Sequence, residues 1–437
     1  MAKAKESDIR DIGRQIFDGM KGQKPSVFNK DWWSGKVMEL SMKDEAFKVE
    51  MFRFVDVFPT LKDHVQVAEH IREYFCRPEQ NFPAAFQFGL SAVKPDGMVA
   101  KMAASQIEKQ MVGMATKFIA GTTAAEALDV LRAIWKSDLA FTLDLLGEAT
   151  VSEKEALDYV ARYNEILDTL IAETRDWPAK PKLEQADWGR VPRVNVSVKV
   201  SSLFSQIDPI DFEGSIDAVK DRLRPLFRKA KQAGAFINLD MEQYTYKDLT
   251  IELFKSLLEE PEFADFEDAG IAIQAYLRDS RRDVEELAKW CKKRRAPVTV
   301  RLIKGAYWDF ETIHAEQESW RNPVWTKKWE TDACFEDCAE ILLDYSKYIR
   351  TAIGSHNVRS IAHALAYAKA RKLPPNAIEF QMLFGIRPDE QRRLAEAGEK
   401  VRVYVPYGQE WYGYLMRRLA ERPANLTFFL RSLVSKK

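Results

Sequence analysis

The sequence predicts an α/β protein: a TIM-like (β/α)8 barrel preceded by a helical N-terminal domain or arm. Eight short apolar runs follow one another after about residue 99, each followed by a segment of helical periodicity, whereas the first hundred residues contain no strand-like run. Near-continuous, β-branched runs are typical of parallel strands covered by helices, and eight such units indicate a barrel. Periodicity alone leaves a doubly wound sheet open as the main alternative. The predicted domains are residues 1–98 and 99–437.

The N-terminal part is predicted to be helical because apolar residues recur three and four positions apart. The predicted helices are Asp8–Lys21, Glu45–Val57 and Leu61–Phe75. They are also the expected place for a contact between two copies of the chain. A further helix is predicted at Met111–Trp135, with Thr122–Thr123 as its caps.

The barrel strands follow from the apolar runs. In chain order these runs are Leu139–Leu143, Val194–Val200, Phe236–Met241, Ile271–Tyr276, Val298–Ile303, Ile349–Gly354, Ala377–Met382 and Val401–Val405. Two connections are unusually long. Thr174–Arg193 is predicted to be a polar linker, and Trp308–Lys328 is predicted to be a long loop after the fifth strand, a kind of segment that is often functional.

Composition excludes several classes of protein. The chain has 437 residues with 66 Lys and Arg against 66 Asp and Glu, and this zero balance argues against a protein whose main role is to bind nucleic acid. We expect no signal peptide, no membrane span and a cytoplasmic location. The four cysteines form no CxxC pair, so no metal site is expected. Cys334 and Cys338 stand four apart on a predicted helix and are interpreted as reduced thiols.

Polar side chains stand at the end of nearly every predicted strand, where barrel enzymes place their active sites. These positions are Asp144 with Glu148, Lys199, Asp240, Gln274, Arg301 with Lys304–Tyr307, Ser355–Asn357, Gln381 and Tyr404. A single one is explained by the polar rim of a barrel, but the whole set favours a site. Because buried charges must be paired, Lys199 is expected to pair with Asp240, and an arginine with Glu148.

The last predicted helix carries two adjacent arginines, Arg417 and Arg418. Tyr414 and Glu421 lie three or four positions away, so the four side chains share one general face. Two guanidinium groups together suit a carboxylate or a phosphate. Taken alone, the pair is explained as well by a solvated surface helix.

Seven motifs in this order resemble the FAD-dependent proline dehydrogenases. They are Asp144–Glu148, Ile273–Tyr276, Arg301–Asp309, Ser355–Asn357, Glu379–Leu383, Tyr404–Gly408 and Tyr414–Glu421, within a likeness that runs from Thr122 to Phe428. The helical N-terminal part resembles that of the bifunctional proline utilization A flavoproteins. Two departures stand out: Ser355 replaces a usual Thr, and Gln409–Gly413 replaces a stretch rich in Thr and His.

The resemblance implies a distorted barrel with the final helix over its mouth. It implies the first step of proline catabolism, oxidation of L-proline to Δ1-pyrroline-5-carboxylate by hydride transfer to FAD, with electrons passed to a quinone. The implied substrate residues are Lys199, Arg417 and Arg418 at the carboxylate, Glu148, Glu421, Asp144 and Asp240 in the same polar cluster, and Tyr307, Tyr404, Tyr414, Leu302 and Leu383 around the ring. The implied cofactor residues are Arg301 and Gln274 at the flavin, Lys304, Gly305 and Ala306 at the pyrophosphate, Thr326, Lys328, Thr331, Ser355 and His356 on the ribose and adenine side, with Trp308, Asn357 and Gln381.

Several alternatives stay open at this point. The base is either Lys199 or solvent, and a gate is hypothesised in which Arg418 pairs with Glu148 or Glu421. A Schiff-base lyase using Lys199 or Lys304 and a non-catalytic barrel are the rival functions. A homodimer and a transient peripheral contact with the inner membrane are left open. So is the choice between a whole enzyme and the dehydrogenase part of a longer one that also contains an aldehyde dehydrogenase half.

Overall fold

The computed structural model describes residues 4–18, 50, 53–54, 57, 60–61, 63–75, 116–294 and 296–420. Contacts divide the chain into two units, one formed by Met1–Lys21 with Ile119–Gln409 and the other by Gly22–Phe118 with Glu410–Lys437. The division into domains 1–98 and 99–437 stays a prediction.

The first unit contains a closed barrel of eight parallel strands, which confirms the predicted fold class. The strands are β1 (Ala140–Leu145), β2 (Asn195–Val198), β3 (Phe236–Leu239), β4 (Ala269–Gln274), β5 (Val298–Ile303), β6 (Ile349–Gly354), β7 (Ile378–Leu383) and β8 (Lys400–Tyr407). Each strand pairs with the next, and β8 pairs with β1 to close the barrel. The ends lie within two residues of the predicted ones, and β5 and β6 coincide with them.

From β1 onward, at least one helix follows each strand. The described helices are α1 (Glu6–Asp18), α2 (His64–Phe75), α3 (Ala124–Lys136), α4 (Glu153–Thr174), α5 (Pro181–Glu184), α6 (Phe212–Ala233), α7 (Lys247–Leu258), α8 (Ser280–Arg294), α9 (Trp308–Gln317), α10 (Lys328–Asp344), α11 (Val358–Ala370), α12 (Pro388–Glu396) and α13 (Trp411–Ala420). Among the described residues, no helix has the length and apolar character needed to cross a membrane. Cys334 and Cys338 both lie buried on α10 as free thiols.

Three predicted segments need correction. The expected loop Trp308–Lys328 is helical over α9, and the expected linker Thr174–Arg193 contains α5 and a small hairpin of Gln185–Ala186 with Gly189–Arg190. The predicted helix Met111–Trp135 is interrupted by non-helical residues 119–123. Its 111–115 portion, most of 45–57 and residues 19–21 lie outside the described residues.

The start of α3 shows why the longer helix breaks. Gly121 has φ +131°, a conformation that side chains on L-residues rarely adopt. Thr123 then caps α3, because its side-chain oxygen accepts from the backbone N–H of Glu126 at 3.3 Å. The Glu126 carboxylate accepts in return from the backbone N–H of Thr122 at 2.7 Å. The predicted threonine cap is therefore present and begins a new helix.

Helix α1 packs on the barrel unit, against α11. Ile9 is buried with Ala362 and Ala366, and Ile12 packs against the same cluster. Arg359 of α11 donates to Glu6 at 2.9 Å. The first N-terminal helix thus shares a hydrophobic cluster with the barrel's outer helical layer.

The barrel lumen is polar, whereas branched apolar side chains fill most barrels of this type. Side chains alternate along a strand, so one set faces the helices and the other faces the lumen. All the polar side chains of the lumen are buried except Tyr404, which is half-buried. They are Thr142 and Asp144 on β1, Ser197 on β2, Asn238 on β3, Gln274 on β4, Arg301 on β5, Glu379 and Gln381 on β7, and Arg402 and Tyr404 on β8, together with Lys199 and Asp240 just beyond β2 and β3. This polar lumen leads to the carboxyl ends of the strands.

Candidate active site

Asp240, directly after β3, connects the side chains at the barrel mouth. Its Oδ1 accepts from Arg301 Nη1 at 2.6 Å and from Asn238 Nδ2 at 3.0 Å. Its Oδ2 accepts from the Tyr404 hydroxyl at 2.7 Å and lies 3.9 Å from Lys199 Nζ. The predicted pair of Lys199 with Asp240 is therefore present, but Arg301 lies closer to Asp240 than Lys199 does.

Lys199 forms an ion pair with Asp144, the last polar residue of β1. The ammonium also donates to the Leu145 carbonyl at 3.3 Å. Burial lowers the pKa of Lys199, but the carboxylates of Asp144 and Asp240 outweigh burial and raise it above its ordinary value. Burial raises the pKa of Asp144 to about 6, against the opposing effect of Lys199. Lys199 is therefore a cation over the physiological range.

Arg301 lies inside the lumen, in the middle of β5. Its Nε donates to Gln381 Oε1 at 2.5 Å, and its Nη2 donates to Ser197 Oγ at 3.0 Å. The guanidinium carbon lies 5.2 Å from the centre of the Tyr404 ring. With Nη1 bound to Asp240, all three nitrogens are held by groups on other strands or directly after one, which fixes the plane of the guanidinium.

Glu242 is a buried carboxyl at the mouth that sequence reasoning missed. It accepts from the backbone N–H of Ser201 at 3.0 Å and also from the Ser201 hydroxyl. Burial raises its pKa to about 7, although the Ser201 hydrogen bonds lower it. It stands two positions after Asp240, and that spacing was the available sequence signal. Next to it, the Gln274 amide donates to the carbonyl of Glu242 at 3.1 Å.

Two further predicted residues meet at the rim. Tyr307, at the start of α9, donates from its hydroxyl to Glu148 Oε1 at 3.2 Å. This places a phenol and a carboxylate that were predicted from different strands in direct contact. Leu302 is fully buried in the hydrophobic core, on the face of β5 opposite Arg301, and its assignment to the substrate ring stays a prediction.

The predicted cofactor residues group around the ends of β5 and β6. Lys304 and Lys328 share the carboxylate of Asp332, with Lys328 Nζ at 2.6 Å from its Oδ2. Burial lowers the pKa of Lys304, and Asp332 opposes this. Asp332 was not predicted from the sequence, although it stands four residues after Lys328 on α10, a spacing that favours helical ion pairs.

Gly305 and His356 have defined backbone roles. Gly305 has φ +134°, and a Cβ atom added there would lie 2.5 Å from the ring of Tyr276. His356 Nε2 accepts from the backbone N–H of Leu383 at 2.9 Å, which links the loop after β6 to the end of β7. These contacts fix the backbone at the places where the sequence predicted cofactor binding.

The remaining predicted cofactor residues have structural contacts or defined positions. Trp308 donates to the Trp325 carbonyl, Asn357 caps α11, Ser355 accepts from the Asn357 N–H, Thr331 is buried on α10, and Ala306 and Thr326 lie in the connections that follow β5 and α9.

The predicted arginine clamp lies on α13, in the second unit. Tyr414 is buried and Arg417 is half-buried. The side chain of Arg418 and all of Glu421 lie outside the described residues. The roles of these four residues stay predictions.

The closed barrel and the charged cluster at the carboxyl ends of its strands define a (β/α)8-barrel enzyme. The sequence matches the proline dehydrogenase family over residues 127–431, and residues 6–118 match the N-terminal domain of proline utilization A. The chain belongs to the proline dehydrogenase family, as the order of its motifs indicated.

Individual relatives support this membership. Proline dehydrogenase 1 of Bacillus subtilis (strain 168) is 31% identical over 322 residues, which cover 74% of this chain and 91% of that protein. The bifunctional protein PutA of Escherichia coli (strain K12) is 27% identical over 336 residues, which are 24% of its length. The crystal structure of proline utilization A from Bdellovibrio bacteriovorus, inactivated by N-propargylglycine, is similar with a TM-score of 0.86 and 43% identity. That match covers 99% of this chain but 43% of the other, so this chain spans less than half of that protein.

Proposed function

We propose that this protein oxidises L-proline to Δ1-pyrroline-5-carboxylate with FAD as the hydride acceptor, and that its electrons pass to a quinone. The observation that carries the proposal is the buried, charge-balanced cluster of Lys199, Asp144, Asp240 and Arg301 at the mouth of a proline dehydrogenase barrel. A small zwitterionic ligand suits such a cluster because it brings both signs of charge with it.

The substrate side follows from the contacts of the mouth. Lys199 is held as a cation between two carboxylates, so it is suited to attract the carboxylate of proline. The aromatic ring of Tyr404 and the Tyr307–Glu148 pair provide apolar surface with polar edges for the pyrrolidine ring. Arg417 and Arg418 are proposed as the carboxylate clamp with Glu148 and Glu421 as their partners, and this part rests on the motif alone.

The residues near β4 and β5 fit a flavin nucleotide. Gln274 donates through Nε2 to two carbonyl groups, and its buried Oε1 has no hydrogen-bond partner among the described residues, so one acceptor is left for a donor on a ligand. The backbone at Gly305 approaches a neighbouring ring too closely for any side chain. Lys304 and Lys328 supply the positive charge that a pyrophosphate requires.

FAD, when bound, supplies the hydride acceptor for the oxidation. The chain's own residues orient the substrate and exclude water. Asp240 and Gln381 hold Arg301 in one plane with its charge retained in a buried environment. Lys199 stays protonated and is therefore not the base in this state, which favours loss of the amine proton to solvent.

The ion pairs of Lys199 argue against a Schiff-base lyase that uses this residue, because such an enzyme needs a neutral lysine as its nucleophile. Asp144 and Asp240 raise the pKa of Lys199 and keep it charged. Treatment with borohydride and a carbonyl substrate should therefore trap nothing on Lys199.

Anaerobic titration with L-proline tests the proposal. The purified protein should be yellow, and its visible flavin band should bleach on adding L-proline and return on adding a soluble quinone. A protein that cannot be reconstituted with FAD, or whose bound flavin is not reduced by proline, would contradict the proposal. If hydroxyproline reduced the flavin faster than proline does, hydroxyproline would be the assigned substrate, and the class of reaction would stay the same.

A further inference from the structure

We propose that Glu379 and Arg402 form a positioning pair that fixes the direction of the Arg301 guanidinium through the amide of Gln381. The proposal rests on the proposed function, in which Arg301 faces the flavin. It assigns a role to two charged residues at the amino-terminal side of the lumen, away from the strand ends that form the mouth.

The pair is buried and geometrically fixed. Arg402 Nε donates to Glu379 Oε1 at 2.7 Å, and Nη2 donates to Oε2 at 2.9 Å, so the contact is bidentate. The third nitrogen, Nη1, donates to the carbonyl of Phe141 on the neighbouring strand β1 at 2.7 Å. Burial raises the pKa of Glu379, but Arg402 outweighs it, and the carboxyl pKa stays below its ordinary value. Glu379 is therefore a carboxylate with one fixed orientation.

Gln381 transmits that orientation because the two ends of its amide differ. Its Nε2 donates to Glu379 Oε1 at 2.7 Å, and its Oε1 accepts from Arg301 Nε at 2.5 Å. An amide nitrogen only donates and an amide oxygen only accepts. A flipped amide would point its NH2 group at the guanidinium and its oxygen at the carboxylate, which removes both bonds. Glu379 and Arg301 thus select the same orientation of the amide, and the contact with Glu379 holds Gln381 Oε1 towards the guanidinium.

Stability in general gives no reason for a buried ion pair at this level of the barrel. Apolar side chains fill the equivalent layer in most barrels of this kind, and apolar replacement of a buried ion pair is often neutral or stabilising. A cavity of about 30 Å³ lies beside Glu379 and Arg402 and is large enough for a buried water. It is also lined by Asn195 and Thr351, whose side-chain oxygens have no hydrogen-bond partner within the described part of the chain. Room for water beside the pair reduces the cost of keeping these two charges in the lumen.

The test compares two double variants of the FAD-loaded protein. E379L/R402M removes both charges, so no unpaired charge is left and Gln381 loses the acceptor that orients it. K247M/D283L is the matched control, because Lys247 and Asp283 form an equally buried ion pair, at 2.7 Å, on the outer helices α7 and α8. The measurements are the thermal midpoint, the dissociation constant of FAD, the reduction potential of the bound flavin, and kcat and KM for proline.

We expect E379L/R402M to fold, with kcat lowered about tenfold while KM for proline changes less than about threefold. The flavin potential should fall by about 30 mV, the equivalent of a tenfold change for a two-electron couple, because a misdirected Arg301 stabilises the reduced flavin less well. The control should keep the wild-type potential. The single variant E379Q should shift the potential in the same direction, because the amide that replaces the carboxylate no longer dictates the orientation of Gln381.

Three results would overturn the proposal. One is a potential in E379L/R402M equal to that of the control. Another is a drop in kcat with no change in potential or FAD affinity. The third is a double variant that does not fold, since this would assign the pair to the fold. Failure of the proposed function itself is distinguishable, because the wild-type protein would then bind no FAD or would not be reduced by proline.

Discussion

Replacing Asp240 by Asn removes one negative charge at the centre of the mouth and keeps the shape of the side chain. Asp240 is 8% exposed and accepts three hydrogen bonds, of which that from Arg301 is charge-assisted. Removing one partner of a buried ion pair costs about 3–5 kcal/mol because the other charge stays unpaired. Arg301 keeps its bonds to Gln381 and Ser197, and Lys199 keeps Asp144, so we expect the lower end, about 3 kcal/mol.

The assay is equilibrium unfolding in guanidinium chloride, followed by tryptophan fluorescence at neutral pH. The midpoint should fall while the m-value is unchanged. The matched control is D283N, which breaks the equally buried pair with Lys247 outside the lumen. Both variants should lose stability, but only D240N should lose proline-dependent bleaching of the flavin. If D240N lost less than about 1 kcal/mol of unfolding free energy, the reasoning would be refuted, because Asp240 would then contribute little to compensating the charge of Arg301.

Three further predictions concern other parts of the unit that contains the barrel. G305A should lose about 1–3 kcal/mol more stability than G398A, because both glycines have positive φ but only at position 305 does the new Cβ meet the Tyr276 ring; equal midpoints would contradict this. Burial raises the pKa of Glu242 to about 7 from 4.5, so its stabilising contribution is complete below about pH 4.5 and is lost as the pH rises through 7. Wild type should therefore lose about 3 kcal/mol relative to E242Q between pH 4.5 and 8, and parallel pH curves would exclude this titration. I9A should speed hydrogen exchange across α1 while the barrel strands keep their protection, because Ile9 anchors that helix; unchanged exchange would show that the anchor lies elsewhere.

The barrel was predictable from sequence because its signal is local. Each strand is a short apolar run whose helix-facing residues pack against the following helix, so composition and periodicity carry the information. The least accurate part was the segment after β5, where α9 was predicted to be a loop. Its sequence, Trp308-Asp-Phe-Glu-Thr-Ile, spreads its apolar residues around the helix axis, and Phe310 and Ile313 are exposed, so no one-sided stripe marks the helix.

The members of the mouth were partly predictable, but their pairing was not. Asp144, Lys199, Asp240 and Arg301 were expected together because parallel strand ends meet at one edge. That Arg301 contacts Ser197 and Gln381 depends on which strands face each other across the lumen, and that follows from closure and register. The missed residues had a weak local signal, since polar residues two apart in one strand, as in Glu379-Phe-Gln381, indicate a polar lumen.

That polar lumen has a functional reason in the proposed reaction. Three cations and three carboxylates alternate from Arg402 and Glu379, through Arg301 and Asp240, to Lys199 and Asp144. Apolar side chains would fill the same space at no cost for burying charge, so stability alone does not explain the charges. A guanidinium intended to act on a flavin must keep its charge away from water and keep one direction, and it needs buried partners on several sides to do so. Each partner must in turn be neutralised or oriented by another, which extends the polar network from the mouth down to Arg402.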